Sequence, residues 1–137
     1  MPTREDMIDA LRKILVPVLR QRGFTGSFPH LRRIARDRID LVSVQFDKWG
    51  GGFVVEVAKS AADGFTTHWG EKIAPGKVKA HDLHPNERLR LGAKGSEDDH
   101  WFRYDTGGTV EAVAQDVVSC LEQAETWWAR KDDDEAG

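Results

Sequence analysis

Cysteine is nearly absent from this chain of 137 residues: Cys120 stands alone, which excludes an internal disulfide. A lone thiol fits a reducing compartment. No apolar run approaches the roughly 20 residues that a membrane-spanning helix needs. The chain does not open on a basic-then-apolar leader, so cytoplasmic residence is the expectation. Closed metal-ligand motifs are also missing, because there is neither a Cys pair nor a His-Glu-x-x-His run. Gly50-Gly51-Gly52 lacks the Lys-Ser/Thr and the helix that would make it a phosphate loop. No Ser-His-Asp order with a nucleophile elbow can be traced, and no repeat or heptad pattern occurs. These absences point to a domain held by its own core, without metal or cofactor.

What is present centres on Ile39 to Ser60. Ile39, Leu41, Val42, Val44 and Phe46 precede Trp49-Gly50-Gly51-Gly52, and Phe53, Val54, Val55 and Val57 follow it. Such β-branched and aromatic runs suit a pleated, partly buried surface, and the glycines allow a hairpin turn. Alternation places Val42, Val44 and Phe46 on one face with Ser43 and Gln45 on the other. It likewise divides Phe53, Val55 and Val57 from Val54 and Glu56. Leu31 to Arg36, Arg88 to Leu91 and His100 to Tyr104 read as further short strands. Gly26 to Pro29 reads as a loop, and so does most of Ala61 to Gly95, where regular periodicity fails.

A helix is predicted on either side of the strands. Thr3 is a suitable N-cap with Asp6 three residues on, and Met7, Ile8, Leu11, Ile14, Leu15, Val18 and Leu19 form one stripe. Pro17 falls opposite that stripe, so one kinked helix is expected, closed by Gly23 and Phe24. Thr109 caps a second helix whose stripe runs from Val110 through Val113, Val117 and Leu121 to Trp128. The predicted fold is α+β: an antiparallel sheet of four to five strands with both helices packed on one face. Residues 1–131 form its single domain, and residues 132–137 form an acidic, disordered tail.

Leu15-Val16-Pro17-Val18-Leu19 with Gly23-Phe24 resembles the opening of a bacterial family known as domain of unknown function 4304. Val44-Gln45-Phe46-Asp47-Lys48-Trp49-Gly50 with Phe53-Val54-Val55 is similar to its central strands. Arg88-Leu89-Arg90-Leu91-Gly92 and Asp99-His100-Trp101-Phe102 are similar to its later landmarks. The resemblance implies the helix–strands–helix order. It brings no activity, cofactor or site residue with it.

The candidate site follows from the face that the helices leave uncovered. Ser43, Gln45, Val54 and Glu56 lie on it, and the long loop beside it carries Trp69, His81 and His84. Gln45, Trp49, Glu56, Trp69, His81, His84 and Arg88 are the predicted partner-binding residues, since exposed Trp and Arg commonly anchor interfaces. A binding or regulatory module contacting a partner protein is therefore the first expectation, ahead of an enzyme. The alternative is a small hydrolase or nuclease-like enzyme with a loop-borne metal on His81 and His84, helped by Asp82 or Glu87. Against it, Gly76 and Pro85 disfavour the helix that would align the two histidines, and solvated loop histidines explain the pattern equally well.

Charge is graded along the chain. Residues 1–38 carry nine Lys/Arg against four Asp/Glu, and residues 97–137 carry three against twelve. Weak nucleic-acid association through the basic first third is a further alternative. The net charge of −3 and pI near 5.9 argue against it, and pairing of the basic third with the acidic one is the simpler expectation.

Overall fold

The computed structural model describes residues 2–67, 69–83, 87–93 and 100–130. Helix α1 (Arg4–Gln21) starts at Thr3, whose hydroxyl accepts the Asp6 N–H while the Asp6 carboxylate accepts the Thr3 N–H. That reciprocal pair satisfies two of the donors a helix start leaves open. Gly23, at φ +95°, ends the helix, and Phe24 turns into the core behind it. Pro17 is exposed and α1 runs through it.

Strands β1 (Thr25–Ser27), β2 (His30–Ile34), β3 (Arg38–Phe46) and β4 (Gly52–Ala61) form an antiparallel meander. Beyond β4, the sheet is extended by β7 (Arg88–Arg90), and β8 (Phe102–Arg103) pairs with the start of β4. Between them, β5 (Phe65–Thr66) and β6 (Lys72–Ile73) make a separate two-stranded ribbon. The expected loop at Gly26–Pro29 is corrected at its start, since Thr25–Ser27 pairs with β2. Two antiparallel strands need only a short connection there, and Phe28 and Pro29 supply it.

The second stripe divides at Cys120 into α2 (Val110–Ser119) and α3 (Leu121–Ala129), and its apolar spacing continues across the break. Both helical segments and α1 cover one sheet face. Leu15, Leu19, Val117, Leu121 and Trp128 bury themselves there against Val42, Val44, Phe53, Val55 and Val57. The fold is therefore α+β with the N-terminal and C-terminal helices on one side of the sheet. Cys120 packs half-buried beside this core, where burial pushes its thiol up.

Buried charge ties the basic and acidic thirds together. Asp40 is fully buried beneath α3 and accepts from Arg38 and twice from Arg33. Arg33 also donates to Glu125 at 2.7 Å, and its guanidinium lies against the rings of Phe24 and Trp128, which touch each other. Arg22 reaches Glu122 and Glu125 of the same helix. Part of the basic cluster is thus paired with the acidic third. The predicted tail at 132–137 lies outside the described residues.

Candidate functional site

The other face of the sheet is not open along its whole length, which corrects the expectation of an uncovered surface. Val78, Ala80 and Leu83 fold back onto Ile39, Leu41 and Ala58, with Phe65 and Ile73 of the ribbon at the edge. The cause is compositional: Ile39, Leu41 and Ala58 point away from the helices and still need cover, and the aperiodic segment carries the apolar residues that supply it. Ser43 and Val54 are buried, Glu56 is half-buried, and Gln45 is exposed.

At the border of this cover, the register lays one polar row across four strands. His30 pairs with Ser43, Ser43 with Glu56, and Glu56 with Arg90. Paired residues share a face, so the four side chains stand together at strand spacings of about 4.8 Å. In the next row, Arg32 opposes Leu41 and Arg88 opposes Ala58. The Glu56 carboxylate accepts from Arg88 at 3.1 Å and from Arg90 at 3.2 Å. Arg88 also donates to the Leu83 carbonyl, which fixes the end of the returning segment to the sheet.

The His30 end has a different character. His30 Nδ1 and Ser43 Oγ lie 2.9 Å apart, and the His81 ring meets that of His30 edge-on at 5.6 Å. Burial first, then the charges of Lys79, His81 and Arg32, hold the His30 imidazole below its ordinary ionisation, while Asp82 acts in the opposite sense. Arg32 donates one Nη2–H to the Val78 carbonyl at 3.1 Å. Its buried Nε–H has no hydrogen-bond partner among the described residues. Asp82 accepts the Lys79 N–H and lies 3.7 Å from His81. Among the described residues, Arg32, Arg88 and Lys79 stand here with the carboxylates of Glu56 and Asp82, a balance that favours an anion.

Glu56, Arg88 and His81 thus come to one region of the second face, with Gln45 at its open end. Trp49 and Trp69 do not join them. Trp49 sits 84% exposed at the β3–β4 turn, beneath the Lys48 ammonium. Trp69 is exposed on the ribbon that leaves the far end of β4, and its indole N–H donates to Glu71. His84 lies outside the described residues. Among the described residues, no three His, Cys, Asp or Glu side chains gather as a metal-ligand set.

His30 and Arg90 are members of the row that the sequence reading missed. A strand begun at His30 rather than Leu31 would have placed His30 and Arg32 on one face and Leu31 and Arg33 on the other. That alternation was the available signal.

These features define a helix-covered antiparallel sheet with a second face that is partly closed and polar. Residues 15–131 match the family described as domain of unknown function (DUF4304), and the chain belongs to that family. Comparison with curated proteins and with solved structures gave no match. No helix among the described residues is long and apolar enough to cross a membrane.

Proposed function

We propose that this chain is a cytoplasmic module that binds a partner protein, and so regulates it, through the second face of its sheet. The observation that carries the reading is the placement of exposed Gln45 two residues along β3 from Ser43, beside the row formed by His30, Ser43, Glu56 and Arg90. A rigid sheet holds these groups in fixed register, which favours recognition, since little side-chain or loop ordering remains to be lost on binding. Arg32 and Lys79, which form no ion pair among the described residues, favour an acidic contact segment on the partner. Trp69 is exposed on the ribbon whose Phe65 and Ile73 border the second core.

The test is a pull-down with the intact protein followed by mass spectrometry of captured proteins, nucleic acids and metals, repeated with Gln45→Ala and Trp69→Ala. Binding of a captured protein should weaken in both variants, while their stability stays within about 0.5 kcal/mol of the parent. Capture unchanged by either substitution would place the contact elsewhere.

A further inference from the structure

We propose that His30, Arg32, Lys79 and His81 form a binding site for a phosphomonoester group at the corner where the returning segment meets β2. The inference deepens the reading of the second face as a recognition surface, and it rests on that reading only where a partner carries the phosphate.

The donors converge from two sides. Arg32 and His30 are two residues apart on β2 and so share a face. Lys79 and His81 approach from the turn that lies on that face, with His81 against the His30 ring. Arg32 supplies the most direct sign of a missing acceptor. One Nη2–H is spent on Val78, and its Nε–H is buried and unpartnered among the described residues. A buried N–H without an acceptor costs free energy, which an oxyanion taken by the remaining guanidinium N–H groups would offset in part. His30 has one ring nitrogen committed to Ser43, which fixes the ring and leaves Nε2 for a ligand. Lys79 adds a mobile charge, and the His81 ring is mostly exposed at the rim.

A dianionic phosphate fits better than a carboxylate. Arg32 and Lys79 carry two positive charges here against one negative charge on Asp82, and the rings of His30 and His81 stand beside them. A second negative charge on the ligand would draw a proton onto His30, which burial first and then the charges of Lys79, His81 and Arg32 otherwise disfavour and Asp82 alone assists. Binding of a phosphomonoester should therefore tighten as pH falls from about 8 to 7, where imidazole begins to take up protons and the ligand, with its second ionisation near 6, still carries most of its second charge.

The experiment follows the histidine ring resonances of the intact protein by NMR at constant ionic strength. Inorganic phosphate, O-phosphoserine, dimethyl phosphate and chloride are titrated separately. Phosphate or phosphoserine should shift the His30 and His81 rings saturably, and chloride should not. Arg32→Gln and Lys79→Gln should each weaken binding by about tenfold, the loss of one charge-assisted contact. Lys79→Gln keeps the test sound if Arg32→Gln fails to fold. Tighter binding of phosphoserine than of inorganic phosphate identifies a partner-borne group, and the reverse identifies the free ion. Either supports the site. Equal response to chloride, unchanged affinity in Lys79→Gln, or preference for the diester would overturn it, the last pointing to a nucleic-acid backbone. Gln45→Ala should leave phosphate binding intact, so failure of the partner reading and failure of this site are separable.

Discussion

Arg33 shows how one side chain can be fixed by burial and charge at once. It spans Asp40 of β3 and Glu125 of α3 while its guanidinium rests against both Phe24 and Trp128. Replacing it with Met keeps an apolar stem against the rings and removes every donor. Asp40 would then lie fully buried with Arg38 as its remaining cation. We expect Arg33→Met to cost about 3–5 kcal/mol in urea denaturation, as removal of one partner from a buried pair does. Adding Asp40→Leu should recover much of that loss, because the stranded charge goes too. The sequence announced the excess of Lys and Arg over residues 1–38 in which Arg33 stands. It did not announce that Asp40 would be its buried counterion, since alternation alone put Asp40 on the helix-covered face without naming a partner.

Among the elements, the ribbon and turn between Phe65 and Leu83 depend on Gly64. Its φ of +104° and close approach to the Ile73 carbonyl leave no room for a side chain. A Cβ there would strike backbone rather than a movable side-chain tip. Gly64→Ala should cost on the order of 1–3 kcal/mol. Hydrogen exchange should show where the loss falls: amides of Phe65–Leu83 should open more readily, with the β3–β4 ladder still protected. The small core under the ribbon is separate from the main one, which is why local opening is expected before global unfolding. Equal loss of protection across both cores would contradict that division. Helix α1, its Thr3 cap and the two long strands were legible from periodicity and cap chemistry. The ribbon was not, because strands of two residues carry no period to read.

For the molecule as a whole, pH should act in two stages. The His30 imidazole ionises below its ordinary value of 6.5. The unfolded chain therefore takes up that proton first as pH falls, and the folded state loses stability from about pH 6.5 downward. Hydrogen bonding from Arg33 holds the Glu125 carboxyl below its ordinary 4.5 despite partial burial, and Arg22 adds to the effect. Its contribution is complete above that value and is lost as pH falls through the lower, folded-state ionisation. Melting temperature measured against pH should decline gently below about 6.5 and more steeply below about 4.5. His30→Gln should remove the first decline, and Glu125→Gln should start lower and reduce the second. A profile unchanged by both would disprove the assignment.

The sequence by itself determined the elements that have a strong period and a clear boundary: the capped first helix, the hairpin about Gly50-Gly51-Gly52, and the apolar stripe from Val110 to Trp128. It also determined that both helices share a sheet face, since each has one apolar stripe and the central strands offer an apolar face to meet them. Tertiary structure alone decided how the second face is used. Ile39, Leu41 and Ala58 point away from the helices, so they drew Val78, Ala80 and Leu83 onto that side. Strand register, a relation between distant segments, brought His30, Ser43, Glu56 and Arg90 into one row. A local pattern can say which face a side chain takes. Only the pairing of strands says which side chains stand beside it.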